Sequence, residues 1–156
     1  MRKEAVKVFP GVQSLIDGLT DRDNNQAYEC LRRLQEESAK SSAVYAYFDT
    51  FAAMLDSPNS YIRTRGLLLI AANAVWDEDN TIDEIIDRLL KHITDEKPIT
   101  SRQCIKVLPV VAKHKPELRQ DIENALHHAD LERYNENMRS LVMKDIQKAL
   151  ADLRVL

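Results

Sequence analysis

Aspartates recur along this chain at Asp21, Asp56, Asp95 and Asp130, with spacings of 35, 39 and 35 residues. Each closes one apolar helical stretch and precedes another. Asp21 stands between VQSLIDGLT and AYECLRRL, and Asp56 between FDTFAAML and YIRTRGLLLI. Asp95 separates IDEIIDRLLKHIT from SRQCIKVL, and Asp130 separates IENALHHA from MRSLVMKDI. Two helices per period of 35–40 residues is the pattern of a stacked α-solenoid, in which each unit buries its apolar face against the next. The spacing fixes an architecture and leaves the chemistry open.

The remaining composition agrees. Three glycines and five prolines in 156 residues leave little material for hairpins or phosphate loops. A chain of this length can bury a core, and 44% apolar with 30% charged residues is a folding composition. One α-solenoid domain over residues 1–156 is expected, with helix pairs at about 12–39, 42–75, 81–114 and 116–153. The two halves of each pair are predicted at 12–20 and 24–39, 42–55 and 59–75, 81–94 and 99–114, 116–129 and 136–153. Thr81 with Glu84 has capping-box spacing, Asn24 and Asn135 suit N-caps, and Pro58 and Pro116 suit first helical turns. Pro109, inside IKVLPVVAK, is expected to kink its helix without ending it. GLLLIAANAV is apolar nearly all round, so the helix carrying it belongs between neighbours.

No apolar run reaches the ~20 residues of a membrane span. The opening MRKEAVKVFPG lacks the apolar stretch of a secretory signal, so a cytoplasmic location is expected. Cys30 and Cys104 each follow a repeat aspartate by nine residues. Two layers of helices at ~8–10 Å place them roughly 20 Å apart, beyond the roughly 7 Å between Cα atoms that a disulfide tolerates. Both read as reduced packing residues.

LDSPNSYIRTRGLLLIAAN, residues 55–73, resembles the turn and second helix of a HEAT repeat. Asp56, Pro58, Ile62, Arg63 and the stretch Leu67 to Ala72 fill that pattern. Asp95, Pro98, Arg102 and QCIKVLPVVA repeat it. The first unit keeps Asp21 but has Tyr28 at the arginine position, and the fourth keeps Asp130 with Arg139 two residues late. The chain is similar to small stand-alone bacterial HEAT-repeat proteins, some labelled for iron–sulfur assembly. Two cysteines two repeats apart cannot hold such a cluster in one chain. The resemblance implies a right-handed α-α superhelix of about four helix pairs, second helices lining its concave side. It also implies that turn aspartates and helix arginines form a ladder, Asp56 with Arg63 and Asp95 with Arg102.

Charge is divided between the helix types. Residues 58–75 hold two bases and no acid, and residues 97–115 hold five bases and no acid. Residues 76–96 hold eight acids against two bases, and 116–134 five against two. Arg102, Lys106 and Lys113 share one helical face. Arg63 matches Arg102 in register and Arg32 matches Lys106, so these five residues form a candidate basic face for a protein or acidic peptide. A phosphate backbone is the alternative partner, as in the HEAT-like DNA-alkylation repair proteins. The net charge of −3 offers no broad attraction to nucleic acid.

Other chemistry has little support. WDEDNTIDE places Asp77, Asp79 and Asp83 as a calcium loop would, but Ile82 stands where the loop needs glycine. Adjacent His127 and His128 point ~100° apart on a helix and do not chelate one ion. No nucleophile elbow, zinc-protease, P-loop or dinucleotide motif occurs. Trp76 reads as a packing plug between repeats. The expected function is a non-enzymatic binding scaffold without metal or cofactor.

Overall fold

The computed structural model describes residues 11–156, so all of the opening stretch MRKEAVKVFPG but Gly11 lies outside it. The described residues are all helical, with no strand among them. Helix α1 covers residues 11–18. It is followed by α2 (Asn24–Lys40), α3 (Phe48–Met54), α4 (Ser60–Ala72), α5 (Thr81–Leu90), α6 (Pro98–His114), α7 (Arg119–His127) and α8 (Glu136–Arg154). Short 3-10 turns at Tyr45–Tyr47, Ala74–Trp76, Lys91–Thr94 and Pro116–Leu118 extend or introduce their neighbours. These turns take up part of the expected helices that is not α.

Helix starts depend on carboxylates and amides close by. Asp23, not Asn24, caps α2, its side chain accepting from the Asn25 amide. Asn59 caps α4 through the amides of Tyr61 and Ile62, which leaves Pro58 just ahead of the cap instead of in the first turn. Asn135 caps α8 through the Met138 amide. The Thr81–Glu84 box does not form. Asp77 takes that role, its two oxygens accepting from the Thr81 and Ile82 amides at 2.9 Å each. Asn80 sits between in a left-handed conformation (φ 58°), which asparagine tolerates. Helix α6 runs on through Pro109.

Packing centres on α4 and α6. Helix α4 meets α3 on one side and α2 and α6 on others, and α6 in turn meets α8. This explains why α4 is buried on most of its circumference. At Gly66 a Cβ would lie 2.8 Å from the Met54 Cβ and 2.9 Å from the Phe51 carbonyl oxygen, so α3 and α4 approach backbone to backbone there. One core of leucine, isoleucine, valine and phenylalanine runs from Val12 to Leu153.

Side-chain hydrogen bonds that reach more than 15 residues along the chain share one property. They join partners between 32 residues apart, as in Tyr45–Asp77, and 46 apart, as in Arg65–Leu19. Ser38–Asn73 (35), Thr64–Thr100 (36) and Tyr134–Asp95 (39) fall within that band. Each of these bonds therefore spans about one interval of the aspartate spacing. Trp76 joins this set, its indole N–H donating to the Ser38 carbonyl at 2.7 Å.

Candidate functional site

The second helices carry the charges singled out in the sequence, and most of these are already matched. Arg32 is bound on its own helix by Glu29 and Glu36 at 2.6 and 2.7 Å. Arg63 is buried and donates to Asp95 through Nε and Nη2, and to the Ser57 carbonyl through Nη1. Arg102 donates through Nε to Asp145 on α8 at 2.6 Å. Lys106 lines a cavity of about 280 Å³ with Asp145, Lys148 and Asp152. Lys113 is exposed beside Arg119 at the edge of another cavity. Among the described residues neither lysine has an ion-pair partner, so two of the five candidate cations remain unmatched.

The expected Asp–Arg pairing needs correction. Asp56 with Arg63 and Asp95 with Arg102 do not form. Asp95 reaches back to Arg63, Arg102 reaches forward to Asp145, and Asp56 takes Arg88 from α5. A turn aspartate seven residues ahead of an arginine lies at the start of the same helix, whereas the guanidinium extends across to the neighbouring unit. All four residues are in ion pairs, with partners from outside their own unit.

Two polar centres bring together residues that no spacing in the sequence links. Lys115 is buried and its ammonium donates to the Asp77 carbonyl and Asn80 Oδ1, with Asp77, Asp83 and Glu117 carboxylates at 3.3, 3.1 and 3.2 Å. Burial acts to lower the Lys115 pKa, but the three carboxylates overcome this and hold it above the ordinary lysine range. Asp77 and Asp83 of the calcium-like stretch thus converge on a lysine. The second centre is Asp95, whose Oδ2 lies 2.7 Å from His92 Nδ1 and whose Oδ1 accepts from the Lys97 amide. A cavity of about 560 Å³ adjoins it, lined by Arg63, Lys91, His92, Thr94, Glu96 and Arg133. Among the described residues no hydroxyl or thiol hydrogen-bonds to His92, so a nucleophile–base pair is not built there.

A different groove has the character of a binding surface. It measures about 500 Å³ and lies across α2, α4 and α6. Leu31 and Leu68 form its apolar lining, while Tyr28, Tyr61 and Ile99 stand at 60%, 59% and 70% exposure. Asn24, Gln35, Thr64 and Gln103 supply neutral donors and acceptors. Arg65 is the one charged residue in the lining. Large aromatic and aliphatic side chains left in water beside a few polar groups are what interfaces are built from.

The sequence held signals for this groove. Tyr28 occupies the position where the HEAT pattern has arginine. Arg65 follows Asp56 by nine residues, the register of Cys30 after Asp21 and Cys104 after Asp95. That register points inward: Cys104 is buried and Cys30 partly so, both as free thiols. Arg65 thus occupies a packing register in which the first and third units carry cysteine.

No helix among the described residues is long and apolar enough to cross a membrane, and no three potential ligands among them gather in a metal-holding arrangement. No known protein family and no curated protein matches this sequence. Among solved structures, the crystal structure of an engineered protein from the Northeast Structural Genomics Consortium is similar, with a TM-score of 0.58 at 23% identity. The match covers 91% of this chain and 62% of that one, so the chain spans about three-fifths of the engineered protein's length. At that identity the likeness speaks for a shared all-helical fold alone.

Proposed function

We propose that this chain is a short HEAT-like α-solenoid, a right-handed superhelix of four helix pairs, that works as a non-catalytic scaffold. It binds a segment of another protein along the groove across α2, α4 and α6. The bonding of each unit to the next, 32 to 46 residues on, supports the superhelical reading. One observation carries the binding reading: Tyr28, Tyr61 and Ile99, from three successive second helices, stand exposed around one groove. Aromatic anchors of this kind carry much of the energy of protein interfaces. A nucleic-acid reading has less support, because three of the five candidate cations are already paired with carboxylates.

Photo-crosslinking tests the assignment. A benzophenone side chain placed at position 28, 61 or 99 should capture the same partner from the native cell, and one placed at Asp87 on α5 should not. Equal capture from position 87, or none from the three groove positions, would count against the groove.

A further inference from the structure

Among the described residues, buried charges are matched, with one exception. Arg63 has Asp95, and Lys115 has Asp77 and Asp83. Arg65, only 6% exposed, has no carboxylate within ion-pair distance among the described residues. Its Nη1 donates to the Leu19 carbonyl at 2.9 Å and its Nη2 to Asn24 Oδ1 at 3.0 Å. The Tyr61 ring centre lies 5.9 Å from the guanidinium carbon. Neutral dipoles and a π face hold the cation in place without cancelling its charge. Burial accordingly draws its pKa below the ordinary arginine range. Two donated bonds, out of the five N–H donors a guanidinium has, leave three uncommitted. Arg65 also lines the groove.

Resting on the groove assignment above, we infer that the bound segment carries an aspartate or glutamate whose carboxylate pairs with Arg65. An apolar or aromatic side chain close to that acid packs between Tyr28, Tyr61 and Ile99. A carboxylate brings one negative charge, which a single guanidinium matches with paired hydrogen bonds. A phosphoryl group brings about −1.5 to −2 and would call for a second cation, and the lining has none. Gln35 and Gln103, neutral and two-sided in hydrogen bonding, suit the segment's backbone. The ligand class is therefore an acidic–hydrophobic peptide.

Selection from a random dodecapeptide library displayed on phage, against the full chain, tests this. Enriched sequences should place Asp or Glu within four positions of Phe, Trp, Tyr, Leu or Ile. A synthetic peptide from that set should lose about tenfold or more in affinity when its acid becomes the amide, Asp→Asn or Glu→Gln. On Arg65→Gln protein, verified as folded by circular dichroism, acid and amide peptides should bind alike. The peptide-side exchange needs only the wild-type protein, so a poorly folding variant leaves the test intact. Peptides that lack acid enrichment, or an amide twin within about twofold, overturn the Arg65 pairing; the groove itself then stands if Tyr28→Ala/Tyr61→Ala abolishes binding. Binding unaffected by Tyr28→Ala/Tyr61→Ala, or no enrichment over background, overturns the groove and the inference together.

Discussion

Arg63 grips Asp95 with two parallel hydrogen bonds, Nε at 2.9 Å and Nη2 at 2.7 Å, between residues 32 positions apart. Both side chains are buried. The same carboxylate holds the His92 ring and the amide that begins α6, and the Tyr134 hydroxyl donates to the Asp95 carbonyl. One turn residue thus fastens α4, the Lys91–Thr94 turn, the start of α6 and the approach to α8.

Removing the carboxylate should be costly. Asp95→Ala leaves the buried guanidinium with only the exposed Glu96, at 3.7 Å, as counter-charge, and loss of one partner of such a pair costs about 3–5 kcal/mol. Asp56→Ala removes the equivalent aspartate one unit earlier, where the carboxylate is 68% exposed and holds Arg88 at the surface. That change should cost less than about 1 kcal/mol. Urea unfolding of the two variants beside wild type checks the contrast, and similar losses would contradict it.

Asp95 also sets an acid limit. Burial would raise its pKa, but hydrogen bonds from His92, Arg63 and the Lys97 amide, together with the Arg63 charge, hold it well below the usual carboxylate range. An unfolded aspartate titrates near 3.9. A group depressed on folding contributes stability in full above its unfolded pKa and loses it as pH falls toward the folded value. Unfolding free energy should therefore fall more steeply below about pH 5 in wild type than in Asp95→Asn. Denaturation midpoints from pH 7 to pH 3 measure this, and parallel curves would rule the contribution out.

Lys115 predicts an asymmetry between near neighbours. Lys115→Met strands Asp77, Asp83 and Glu117 around a vacated centre and should destabilise by about 3 kcal/mol or more. Lys113→Met, two residues earlier and exposed, should change stability by less than about 0.5 kcal/mol. Thermal unfolding of both variants at neutral pH reports the difference.

Much of the fold was legible because apolar periodicity and the aspartate spacing are local signals. The periodicity predicts second helices at 24–39, 59–75, 99–114 and 136–153, close to where α2, α4, α6 and α8 lie. What eluded the sequence was which unit a side chain reaches. Arg63 and Asp56 are seven residues apart along the chain, but the long arginine side chain meets Asp95 in the next unit instead. Asp145, midway along α8, belongs to no turn register, so nothing in the spacing marked it as the partner of Arg102. Capping differed for a similar reason. Thr81 and Glu84 have the right separation for a box, but Asp77 already accepts from the Thr81 and Ile82 amides. The basic count of residues 58–75 suggests a charged binding face, but Arg63 and Arg65 are both buried, and exposed Tyr28, Tyr61 and Ile99 stand around the groove instead.

Reversal of the remaining lysines separates peptide binding from phosphate-backbone binding. Lys106 stands beside Asp145 and Asp152, and both lysines lie outside the residues that line the groove. Lys106→Glu/Lys113→Glu should therefore leave capture at the groove unchanged. Each phosphate neutralised on duplex DNA adds about −0.9 to the slope of log affinity against log salt. Two unmatched lysines on this face should give a slope no steeper than about −2, and the double reversal should flatten it toward zero. Fluorescence anisotropy with a labelled duplex between 20 and 200 mM salt, on the order of the range where counterion release is read, measures it. A slope of about −5 or steeper in wild type, lost in the double reversal, would move the assignment from peptide to nucleic acid.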